Sequence, residues 1–247
     1  MLFVISGEGS SDLGTKYPDG TLKKGAMTLI LDRLCEINCG YAPDYELLTE
    51  GDVKRLRKRN LRDVRPRGDV SKEDTETLWL SSFCLAAYAK GKGEGVALVC
   101  FKDSDGTNTS PHDKWARMVK AMYSGFNGAG FKWGVAMVPR PKSEAWLLAY
   151  YQRKDGVHHE YDQCERFEEM SGNDGSPNSC KSLLKRFCSC NGDVYANVIT
   201  KDAVETIDWN RVNMPSFTAF KKRFENVLAG LNGLPYPHAD CPYTVEP

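Results

Sequence analysis

The run Val96-Ala97-Leu98-Val99-Cys100-Phe101 carries no charge, and it ends in Lys102-Asp103-Ser104-Asp105-Gly106. An unbroken apolar hexamer of this kind reads as a strand buried on both faces, which belongs in the middle of a parallel sheet covered by helices. Open sheets of that class bind ligands beyond the carboxyl ends of their strands. Two aspartates leaving the strand there have two readings. They hold a hard divalent cation that removes their mutual repulsion, or they form a turn with acidic capping residues before the next helix. The residues alone leave both open.

The chain on either side alternates between short apolar runs and helical periodicity. Met1 to Ser6 reads as the first strand, and it breaks into Gly7-Glu8-Gly9-Ser10-Ser11-Asp12. If this strand runs parallel to the central one, Glu8 stands at the same sheet edge as Asp103; otherwise it is a solvated acid in a glycine-rich loop. No G-x-x-x-x-G-K-[ST] pattern is present, which argues against a P-loop. The spacing predicts a helix over 23–37 with Ala26, Ile30, Leu34 and Ile37 on one face, then a short strand at 45–48. A second helix covers 72–90 with Trp79, Leu80, Phe83, Cys84 and Ala87 inward, and a third covers 111–124 with Trp115, Met118, Val119 and Met122. Residues 132–138 read as another buried strand. Pro141 then opens a helix whose first turn holds Glu144, where free N–H groups favour a carboxylate whether or not it does chemistry.

Beyond Tyr151 the composition turns polar, with helices expected near 181–190 and over 216–231 and a proline-bearing tail from Pro235. The expected fold is therefore α/β, a mostly parallel central sheet flanked by helices. A core over 1–150 carries a mainly helical extension over 151–247 packed on it.

The 33 Lys and Arg balance 33 Asp and Glu, so any affinity for a polyanion must come from local clustering. Val53 to Arg67 is the densest cationic stretch, with Lys54, Arg55, Arg57, Lys58, Arg59 and Arg62. It is either a solvated helix face or the footprint of a phosphate backbone, for which arginine offers bidentate contacts. Nine cysteines scattered through apolar segments suit reduced thiols in the cytoplasm better than a disulfide framework. A zinc site from Cys180, Cys188, Cys190, His158 and His159 lacks the usual C-x-x-C pairing. No apolar stretch approaches a membrane span, so no membrane association is expected.

Glu8, then Asp103 with Asp105, then Glu144 follow three separate strands, and right-handed crossovers put those strand ends on one edge. Like charges about 4 Å apart cost roughly 4 kcal/mol at an effective dielectric of about 20, so such a gathering calls for a compensating cation. In this order the motifs resemble the Toprim superfamily, with a Glu after the first strand and an Asp-x-Asp after a later one. The Pro-x-x-x-Glu-Ala-Trp-Leu-Leu run around Glu144 is similar to small stand-alone Toprim proteins related to the overcoming-lysogenisation-defect (OLD) nucleases. Asp12 is similar to a second acid of that group's first loop, although Ser-Ser-Asp fits it loosely.

The resemblance implies a metal-dependent nuclease cleaving phosphodiester bonds in DNA or RNA. Asp103, Asp105, Glu144, Asp12 and Glu8 would hold one or two Mg²⁺ or Mn²⁺ ions, with Glu8 alternatively acting as base or acid. Lys142 or Lys102 would offset charge on the scissile phosphate, and the arginine-rich stretch would guide the strand. It also implies a role in anti-phage defence beside an ABC-type ATPase partner, and is compatible with a homo-oligomer. Two alternatives stand beside it: a primase-like phosphotransfer enzyme, and a module that binds nucleic acid or a partner without cutting.

Overall fold

The computed structural model describes residues 1–60, 73–105, 111–154, 161–188, 204–205 and 207–241. In chain order the elements are β1 (Leu2–Gly7), β2 (Gly14–Lys16), β3 (Leu22–Lys24), α1 (Ala26–Cys39), β4 (Asp44–Leu48), α2 (Glu50–Asn60), α3 (Glu73–Lys90), β5 (Val96–Phe101), α4 (Pro111–Gly128), β6 (Gly134–Met137) and α5 (Ser143–Lys154). A 3-10 helix (Tyr161–Glu169), α6 (Cys180–Cys188) and α7 (Pro215–Leu231) follow.

Four strands pair in parallel in the order β4-β1-β5-β6. The apolar hexamer is central as expected: all six residues of β5 are buried. Because side chains alternate across a strand, Ala97, Val99 and Phe101 join a core on one face with α1, α5 and α7, while Val96, Leu98 and Cys100 join a core on the other with α3 and α4. The chain leaves β1 toward β4 on one side and leaves β5 toward β6 on the other. The order therefore reverses between β1 and β5, and the crevice at their carboxyl ends is where such sheets take ligands.

The helix expected over 23–37 begins three residues later. Lys23 belongs to β3, which pairs antiparallel with β2 in a hairpin turned by Asp19 and Gly20. Ile37 is exposed, because the α1 face that meets the sheet is Ala26, Met27, Ile30, Leu31 and Leu34. Pro141 precedes α5 and forms a cis peptide with Arg140; the helix starts at Ser143 with Glu144 in its first turn. In α3, Ala87 is half-buried and Ser82, Leu85, Ala86 and Ala89 lie on the buried side.

A buried tie holds the later elements to this frame. Arg140 sits 3.2 Å from Glu168, whose carboxylate accepts from the Ser216 N–H at 2.8 Å and its hydroxyl at 2.6 Å. The Ser216 hydroxyl in turn accepts from the Trp146 indole at 2.9 Å. Trp146, Phe217, Phe220 and Phe224 pack ring against ring, and α7 lies against α1 and β6. Cys35, Cys39, Cys84, Cys100, Cys164, Cys180 and Cys241 are free thiols. Among the described residues no helix is long and apolar enough to cross a membrane. Arg62, Cys190, His158 and His159 lie outside the described residues.

Candidate functional site

Past the end of β5 the pairing with β6 continues through Lys102 N–H to Met137 O at 3.1 Å, then Ser104 N–H to Pro139 O at 3.1 Å. This holds Asp103 between the two strands' exits, and its Oδ1 accepts from the Ser143 N–H at 2.9 Å. Asp103 thus occupies the amino end of α5, where unpaired N–H groups attract an anion. Glu144 follows Ser143 in the same turn and is 2% exposed. Asp12 enters from the β1 side. Its loop is fastened to the start of α1 by Ala26 N–H to Ser11 O at 3.2 Å, Met27 N–H to Asp12 O at 2.8 Å and Thr28 hydroxyl to Leu13 O at 2.7 Å.

Three acids from three parts of the chain therefore lie in mutual electrostatic contact, Asp12 and Glu144 buried and Asp103 half-buried. Burial, with Asp12 and Glu144 adding, pushes the Asp103 carboxyl up to about 8. Burial also pushes Asp12 up to about 6, with the neighbouring Ser143 hydroxyl opposing and Glu144 and Glu8 adding. Asp12 Oδ1 and Ser143 Oγ are buried and make no hydrogen bond.

The other two expected acids lie outside this group. Glu8 is half-exposed and pairs with Lys102 Nζ at 2.7 Å. Asp105 is exposed with φ +44°, a left-handed conformation that Asp tolerates better than most residues, and its Oδ1 lies 3.3 Å from Lys142 Nζ. Lys142 also meets Asp174 at 2.9 Å, and Asp174 meets Lys181 at 3.0 Å. Burial works to lower Lys142, but Asp174 and Asp105 outweigh it and hold its ammonium above the ordinary lysine range.

Asp174, Lys181 and Ser143 are not singled out by the sequence; Asp174 falls in Ser171 to Asn178, which reads as polar loop. Lys181 did leave a signal. A cation in the first turn of a helix opposes the macrodipole, so something else must hold it there. The first turn of α6 also borders the acids: the Cys180 thiol is pushed up to about 12 by burial, with Glu144 and Asp103 contributing.

In α2 the cations of the basic stretch stand in three different settings. Lys54 pairs with Glu50 at 2.7 Å and Arg55 with Asp52 at 2.5 Å, Arg57 is half-buried, and Lys58 and Arg59 are exposed.

Oxygen donors alone, one of them buried without a hydrogen bond, are the chemistry a hard divalent cation selects. Among the described residues, however, no three His, Cys, Asp or Glu side chains stand close enough together to hold a metal ion as they are. Compared with protein-family models, with curated proteins and with solved structures, the chain matches none.

Proposed function

We propose that this chain is a divalent-metal-dependent nuclease of the Toprim type that its motifs resemble. The observation that carries the reading is the gathering of buried Asp12 and Glu144 with half-buried Asp103 at the sheet's switch point, where Asp103 is pushed up to about 8. A fold tolerates such repulsion where it serves a bound cation. Asp103, Asp12 and Glu144 are the residues that would hold Mg²⁺ or Mn²⁺, and the ion would supply Lewis-acid polarisation of a phosphoryl oxygen.

The chain's own groups do the rest. Lys142, kept charged by Asp105 and Asp174, offers a positive group beside the acids against a phosphate oxygen. Glu8 stands at the same edge as an exposed carboxylate whose partner Lys102 is itself half-exposed, so the pair can open to let Glu8 accept a proton and Lys102 meet a phosphate. The exposed Lys58 and Arg59 on α2 attract the backbone. The ATPase partner that the resemblance implies, and the homo-oligomer it is compatible with, enter no step.

The test is incubation of the protein with single- and double-stranded DNA and RNA, with Mg²⁺ or Mn²⁺ and with EDTA. Metal-dependent cleavage should fall at least about 100-fold in Asp103→Ala, the scale on which removing one preorganised electrostatic group acts. Cleavage that survives the substitution overturns the site. Metal-independent binding with no turnover under any cation selects the non-cleaving module instead.

A further inference from the structure

On the opposite face of the sheet from α1, the carboxyl ends of β1 and β5 open into a cavity of about 280 Å³. Its volume lies near the lower end of small-ligand pockets, roughly 300–1,000 Å³. The walls come from α2 and α3: Val53, Leu78 and Leu85, with Cys100, Phe101 and Met122 beneath. The rim is polar, formed by Glu8 and Lys102 on one side and by Glu50, Thr77 and Ser81 on the other. Glu8, paired with Lys102 at this cavity, also adds to the charge around Asp12 and so links the cavity to the acids.

The polar groups have a definite sense. Ser81 Oγ donates its proton to Thr77 O at 2.8 Å, and Ser6 Oγ donates to Leu48 O at 3.0 Å. Each hydroxyl has spent its one donor and keeps lone pairs to accept with. The Glu8 and Glu50 carboxylates keep further lone pairs to accept with beside their partners Lys102 and Lys54, whose ammonium groups are engaged by them. An apolar cavity of this size edged mostly by acceptors suits a single heteroaromatic ring that presents N–H donors.

We propose that this cavity takes one unstacked nucleobase of the nucleic acid, an amino-bearing one in preference to uracil, while the backbone runs past Lys102 to the acids. The identification of the ring as a base rests on the nuclease reading; the cavity itself does not. Adenine, cytosine and guanine carry an exocyclic amino group that the acceptor rim can bind, whereas uracil offers a single ring N–H. Unstacking is required because a paired base cannot enter, so single-stranded substrate is preferred.

The probes are the four free ribonucleosides, which have no phosphate to engage the acids. Binding to the full chain in EDTA is measured by calorimetry or by ligand-observed NMR. Adenosine, cytidine or guanosine should bind with a Kd on the order of 1 mM or tighter, and uridine more weakly. Thr77→Trp at the exposed mouth and Ser81→Trp on the same rim should each abolish that binding in protein that still melts cooperatively. Asp103→Ala should leave it unchanged. Failure of every nucleoside to bind the folded protein overturns the proposal, as does equal binding by both tryptophan variants. If nucleosides bind but no nucleic acid is cut, the cavity stands and the nuclease reading falls.

Discussion

Asp103 and Asp12 hold their protons more tightly in the folded chain than in the unfolded one, where an aspartate titrates near 3.8. Between that value and about 8 the folded state therefore binds more protons, and metal-free stability falls as pH rises through the window. Asp103→Asn keeps an acceptor for the Ser143 N–H and removes the charge. It should flatten the decline and raise the melting temperature at pH 8 by at least about 2–4 °C, the shift that 1 kcal/mol makes in a chain of this size. Mg²⁺ or Mn²⁺ should stabilise the parent at pH 8 and leave the variant unmoved; thermal melts across pH with and without metal read both effects. A parent whose stability rises from pH 5 to pH 8 without metal would contradict the burial of these carboxyls. Asp174 belongs at the same scale. It touches Lys142 and Lys181 and none of the buried acids, so it is a positioning residue. Asp174→Asn should lower the pKa of Lys142, move the alkaline limb of the cleavage profile to lower pH and reduce kcat about tenfold, with Asp174→Glu restoring both. A merely structural loss would scale the whole profile without shifting it.

The elements that carry these residues were legible to different degrees. Strand β5 was readable because burial on both faces leaves an unbroken apolar run, and α7 because its phenylalanines repeat at helical spacing. The β2-β3 hairpin was not: two strands of three residues are too short for any period, and only Asp19-Gly20 marks the turn. The site was half legible for a related reason. Acids that follow strands could be placed on one edge from topology, but whether a carboxylate turns inward, as Asp103 does, or outward to a lysine, as Glu8 and Asp105 do, depends on tertiary neighbours absent from local spacing. Asp12 turns inward because its loop is clamped under α1, and that clamp sets a requirement on Gly25. A Cβ at Gly25 would lie 2.5 Å from both Ser11 O and Asp12 O, backbone atoms that cannot move alone. Gly25→Ala should therefore destabilise the protein by about 1–3 kcal/mol, as overpacking does, and weaken Mn²⁺ binding beyond what the stability loss explains. Urea unfolding and metal titration of the same sample separate the two effects. Unchanged stability would mean that α1 does not press on the Asp12 loop.

At the scale of the whole molecule, positive and negative charges cancel, so the protein has no long-range pull on a polyanion and whatever attraction exists must be local. Topology supplies the locality: α2 follows β4 and lies beside the cavity at the ends of β1 and β5, so its amino end, Glu50, faces the acid edge. Its cations are unequal. Lys54 and Arg55 already face Glu50 and Asp52, and a phosphate must displace those carboxylates to reach them. Lys58 and Arg59 are exposed one turn further on, so the counterions condensed on the phosphates should be displaced chiefly by them. On a single strand each phosphate contact contributes about 0.7 to the slope of log K against log salt. Replacing Lys58 and Arg59 together with alanine should reduce that slope by about 1 to 1.5, whereas Lys54→Ala should change it by less than about 0.5. Fluorescence anisotropy of a labelled oligonucleotide in EDTA, between about 50 and 200 mM salt, measures the slopes without cleavage. A double variant with the parent's slope would remove α2 from the path of the strand, and would leave the acid edge to be reached from the Lys142 and Lys181 side, where Asp174 holds the other cations together.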